Sequence, residues 1–163
     1  MRASVPTSAV DNTYEEFPVG MYDGEIGSAE IRDPNGDGSW LTLKLGVENI
    51  SAKEGTDDPG RSTFQSDITI LTDGTDLREV EDFSNGELPF PIRRAAGLLA
   101  GLAEGLGVAT RENGRVEVDI QAIADALTNG EFAGERVGFE VSHFYNKKTK
   151  KTRDQYNRFG PAS

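Results

Sequence analysis

The chain contains no cysteine and only one histidine, His143. The first absence removes disulfides, thiolate nucleophiles and thiolate zinc sites, and the second removes any site that needs two imidazoles. No apolar run approaches the roughly 18 residues of a membrane-spanning helix. Residues 1–10 hold one basic residue and no apolar signal core, so neither membrane spanning nor secretion is expected. Positive charge is also scarce: 17 Lys and Arg against 28 Asp and Glu leave a net charge of −11 over 163 residues, about one domain's length. At face value this balance favours a soluble, self-repelling surface and disfavours a nucleic-acid partner.

The shortage of cations is uneven. Residues 141–163 carry Lys147, Lys148, Lys150, Lys151, Arg153 and Arg158 against Asp154 alone, a local +5 that leaves −16 on residues 1–140. A solvated turn or tail would account for such a cluster, so its context decides the reading.

Residues 1–16 mix Ser, Thr, Pro and acids without apolar periodicity and read as a flexible N-terminal arm, with one domain over 17–163. Tyr22, Gly24 and Ile26 alternate along a first strand. After the turn-forming Asp33-Pro34-Asn35-Gly36-Asp37-Gly38, Leu41, Leu43, Leu45 and Val47 at period two mark a second strand, and Phe64, Ser66, Ile68 and Ile70 a third. An acidic insertion at about 72–90 ends in Pro-Phe-Pro, and a helical insertion follows at about 91–130. In that insertion Ile92, Ala95, Ala96, Leu99, Leu102, Ala103 and Leu106 share a helical face, with Gly107 suited to the C-cap. Gly97, Gly101 and Gly105, four residues apart, predict a close-packing face against the sheet. Asp119 caps a second, short helix through Leu127. Residues 136–145 and 153–159 form the last two strands around a lysine-rich turn. The fold class is therefore mainly β with an α insertion: a small five-stranded barrel carrying a helix and a short helix between strands three and four.

Asp33-x-Asn35-x-Asp37-Gly38 copies the opening of a calcium loop, but the closing acidic position is Lys44, so a hairpin turn is the better account. The glycines of residues 97–107 lie in an apolar helical pattern with no Gly-Lys-Ser/Thr, which discards a phosphate loop. Acidic pairs such as Asp57-Asp58 and Glu81-Asp82 lack an apolar setting, so no catalytic residue, metal or cofactor is expected. His143 reads as a packed or surface-contact residue.

The stretch Phe144-Tyr145-Asn146-Lys147-Lys148-Thr149-Lys150-Lys151-Thr152-Arg153-Asp154-Gln155-Tyr156-Asn157-Arg158-Phe159 differs in kind. It interleaves aromatic rings with six cations across a hairpin, so bases can stack while phosphates are neutralised. Trp40, Tyr22 and Arg61 extend this surface if their strands are neighbours. The competing account is that strand aromatics are core and the lysines a solvated edge.

The layout resembles a known family. Phe17-Pro18-Val19-Gly20-Met21-Tyr22, Gly38-Ser39-Trp40-Leu41-Thr42-Leu43-Lys44-Leu45, Gly60-Arg61-Ser62-Thr63-Phe64, Leu102-Ala103-Glu104-Gly105-Leu106-Gly107, residues 127–137 and Tyr156-Asn157-Arg158-Phe159 are similar, in order, to segments of small bacteriophage proteins. That family is catalogued as a domain of unknown function, is often encoded beside replication and recombination genes, and is thought to comprise single-stranded-DNA-binding proteins with an oligonucleotide-binding (OB) barrel. The resemblance covers about 17–161, and residues 72–87 and 111–119 depart from it. It implies a non-enzymatic, sequence-tolerant single-stranded-DNA-binding protein in the host cytoplasm, acting in phage replication or recombination, whose proteins are further candidate partners. Lys147, Lys148, Lys150, Lys151, Arg153, Arg158 and Arg61 would then meet phosphates, and Trp40, Phe144, Tyr145 and Tyr156 bases. Self-association stays open. The alternative is a virion or assembly protein that docks on an acidic surface through the same hairpin.

Overall fold

Alternating apolar residues make half-buried strands wherever one face can be covered, and here the cover is a helix. The structure, a computed structural model, describes residues 19–52, 63–83 and 86–162, with the side chains of Phe64, Asn146, Lys151, Thr152, Arg153, Asp154, Tyr156 and Asn157 outside the described set. The expected N-terminal arm and Arg61 lie outside the described residues.

Strands β1 (Gly20–Arg32), β2 (Leu41–Ala52) and β3 (Thr63–Thr72) are followed by the two-residue β4 (Thr75–Asp76) and a single 3-10 turn at Leu77–Glu79. Helix α1 (Phe90–Gly105), the ribbon strands β5 (Thr110–Glu112) and β6 (Arg115–Glu117), and helix α2 (Ile120–Thr128) come next. Strands β7 (Arg136–Asn146) and β8 (Lys151–Gly160) complete the chain. The main sheet has the order β4-β3-β2-β1-β7-β8 and is antiparallel throughout.

The sheet curls into a half-barrel. β3 and β8 are four strand positions apart, about 19 Å if flat, yet both pack against α1, whose width is about 10 Å. Leu43, Leu45, Val47, Ile68, Ile70, Val137, Phe139 and Val141 line the concave face, and Ile92, Leu99, Leu102 and Ala103 of α1 fill it. Tyr22 stacks on Phe139 with ring centroids 5.3 Å apart and an interplanar angle of 11°.

Five strands were expected and six form the sheet. The addition is β4, which the left-handed pair Asp73 and Gly74 folds back onto β3. The stretch 110–117, inside the expected helical insertion, is instead a separate ribbon turned at Asn113-Gly114, both at positive φ. Asn-Gly between short extended runs is the sequence signal for such a turn. The expected helices stand where the spacing puts them, and Leu98 is buried besides the expected α1 face.

Close approach explains two of the three helix glycines. A Cβ on Gly101 would lie 2.2 Å from the Phe159 carbonyl oxygen, and one on Gly105 would lie 2.4 Å from that of Gly160, whereas Gly97 meets nothing within 4 Å. So α1 rests directly on the backbone of β8.

Asp119 accepts from the Ala122 amide at 3.1 Å and caps α2. Asp119→Ala is expected to lower stability by about 1 kcal/mol in urea denaturation. At the other junction, Asp76 accepts from the Arg78 amide at 2.9 Å and from its guanidinium at 2.7 and 3.0 Å. The guanidinium, more than the amide, holds the Asp76 carboxyl below its ordinary value of 3.8. A depressed folded-state pKa stabilises fully above the ordinary value, and the contribution is lost as pH falls through the lowered one. Wild type and Asp76→Asn should therefore differ in denaturation midpoint at pH 7 and converge towards pH 2.

Candidate nucleic-acid interface

Strand β1 holds β7 only from Gly20 opposite Val141 to Glu25 opposite Arg136. Beyond Val141, among the described residues, β7 pairs with β8 alone, from Ser142 opposite Gln155 to Asn146 opposite Lys151. These five pairs form a two-stranded arm about 17 Å long that runs past the end of β1, with Phe144 and Gln155 on the side of β3 and α1. A register shift between Glu140 and Val141 leaves Asn157 as the extra residue on β8, a bulge at the point where the arm departs. Bulges bend and twist a ribbon, so this one sets the direction of the arm.

The core pattern of β7 runs out along the arm. Val137, Phe139 and Val141 are fully buried, His143 is half-buried, and Tyr145 is 54% exposed. Phe144, on the opposite face, is 41% exposed. Rings are therefore offered on both faces. Lys147, Lys148 and Lys150 are all exposed in the terminal turn, which closes through Lys150 at φ 56°. Lys151, Arg153 and Tyr156 lie on the β8 side, their side chains outside the described set. Arg158 is exposed at the root of the arm, opposite Glu140.

Two of the candidate aromatics stand elsewhere. Tyr22 is fully buried against Phe139 and belongs to the core, because its strand parity faces inward. Trp40 lies beyond the C-terminal end of β1, whereas the arm extends past the N-terminal end, so the two are at opposite ends of the sheet. Trp40 is 39% exposed beside a cavity of about 340 Å³ that Arg32, Lys44 and Asp67 also line. Its cations have local counter-charges: Glu30 holds Arg32, and Lys44 lies 3.9 Å from Asp67. The Trp40 ring sits in a balanced field.

The neighbouring β1–β2 turn consumes its own carboxylates. Asp33 accepts from the amides of Gly36 at 3.1 Å and Gly38 at 3.0 Å, both glycines being at positive φ. Ser39, through its hydroxyl and then its amide, lowers the pKa of Asp37. The hairpin reading of this motif holds. Among the described residues no three His, Asp or Glu side chains converge as a metal site would require, and no helix is long and apolar enough to cross a membrane.

Sequence reasoning missed Phe90, Arg93 and Arg94 at the start of α1. Phe144 lines a cavity with Phe90 and Arg94, while the Arg93 guanidinium lies 5.8 Å from the Phe90 ring centroid. A signal was present: the first turn of α1 holds no acid, where the helix dipole favours one, and two arginines follow directly. No protein-family model matches the chain, and no curated protein matches it.

Proposed function

We propose that this protein binds single-stranded DNA without strong sequence preference, serving bacteriophage replication or recombination in the host cytoplasm. The observation that carries the reading is the projecting β7–β8 arm, with exposed Phe144 and Tyr145 on opposite faces and lysines at its tip. Rings accept any base by stacking, and ammonium groups neutralise phosphates with release of counterions. The order β3-β2-β1-β7-β8, with α1 between the third and fourth of these strands in the chain, supports an OB barrel. The phage setting of this proposal comes from the sequence segments that resemble the phage family.

The acidic remainder of the chain repels a polyanion, so contact concentrates on the arm. Anisotropy of a labelled dT strand of about 30 nucleotides, longer than the ~4–16 nucleotides of one OB fold, tests this. Binding at low salt that weakens steeply as salt rises is the expected result. Absence of binding there, with the protein self-associating or travelling with particles, would replace this reading with docking of the arm on an acidic assembly partner.

A further inference from the structure

A cavity among the described residues lies between β3, the first turns of α1 and the β7–β8 arm. It measures about 510 Å³, within the roughly 300–1,000 Å³ of small-ligand sites. We infer that this cavity receives one nucleobase of the bound strand, turned out of the path along the arm. The inference rests on the single-strand-binding reading and adds a second, specific point of contact to it.

Three observations converge on a base. Phe90, 65% exposed, and Phe144 both line the cavity, so two aromatic rings that a soluble protein would ordinarily cover stand at one opening. Gln65 and Gln155 bring amides that both donate and accept, and Asp67 adds an acceptor, which matches the mixed hydrogen-bonding edge of a base. An apolar peptide side chain placed here would desolvate those groups without pairing them. Arg94 in the lining and Arg93 against Phe90 supply positive charge where the attached phosphates would pass. Phe144 is shared with the arm, so a strand that stacks there is already at the cavity.

Rotatable glutamine amides can satisfy purine or pyrimidine edges, so the pocket is compatible with sequence tolerance. Its role is to fix the register of the strand on the protein.

Photo-crosslinking of a 5-iodouracil-substituted oligonucleotide, read by mass spectrometry, tests the inference. Trypsin separates Phe90, in residues 79–93, from the arm rings Phe144 and Tyr145, in residues 137–147, and Tyr156, in residues 154–158. Adducts at Phe90 as well as on an arm peptide are expected. Phe90→Leu, at an exposed position that leaves folding intact, should abolish the first adduct and weaken binding about tenfold. Binding with adducts confined to 137–147 and 154–158, or a Phe90→Leu affinity within about twofold of wild type, overturns the pocket and leaves the arm reading standing. No binding of the oligonucleotide at low salt overturns both.

Discussion

Gly101→Ala is expected to destabilise the protein by about 1–3 kcal/mol, and Gly101→Ala with Gly105→Ala by more, while Gly97→Ala stabilises it. All three changes gain the same helix propensity, about 1 kcal/mol in alanine's favour. They differ in what the new methyl group meets. At Gly101 and Gly105 it falls 2.2 and 2.4 Å from carbonyl oxygens of β8, and backbone cannot rotate aside as a side chain does. At Gly97 it meets nothing within 4 Å. Urea midpoints of the three single variants and the double variant measure the effect. Three equal shifts would mean that α1 does not rest on β8. Because a domain of this size is stable by only about 5–15 kcal/mol, the double variant should lose a large part of its margin.

Alanine at Lys147, Lys148, Lys150 and Lys151 together should weaken single-stranded DNA binding by about 10- to 100-fold near physiological salt. The slope of log affinity against log salt should flatten by as much as ~3, since each phosphate contact contributes about 0.7 on a single strand. Tyr145→Ala should act differently. Losing a stacking ring costs about 1–3 kcal/mol but releases no counterion, so affinity falls with the slope unchanged. Lys147, Lys148, Lys150 and Tyr145 are exposed, and both variants should keep a urea-denaturation stability within about 0.5 kcal/mol of wild type. Anisotropy titrations at several salt concentrations separate the two signatures. An unchanged slope in the lysine variant would move the phosphate contacts away from the tip.

How much of this was legible beforehand depended on how local the cause was. Leu43, Leu45 and Val47 alternate because one face of β2 is covered, and the Asp119 cap needs only three following residues, so both could be read directly. The Gly101 and Gly105 contacts were legible as a spacing, although Gly97 shares the spacing and not the contact. What resisted reading was long-range. Tyr22 and Tyr145 both follow the inward parity of their strands. One is buried because β1 lies mid-sheet, and the other is exposed because β7 has outrun β1. Trp40 stands at the other end of the sheet from the arm because the two hairpins point in opposite directions along it, which only the register with β7 reveals, although Asp67 lines both its cavity and that of Phe144. Phe90 reaches Phe144 through curvature, across about 50 residues of chain that carry no trace of the meeting.

The arm also bears on how this protein can vary. Beyond Val141, among the described residues, its two strands pair only with each other, so removing one residue from each side together leaves every inward and outward position of the sheet body unchanged. A single deletion on one side would instead swap the faces of all residues beyond it. Relatives of this chain should therefore differ in reach by matched pairs, lengthening or shortening the hairpin like a ruler with a fixed graduation, while the bulge at Asn157 keeps the aim.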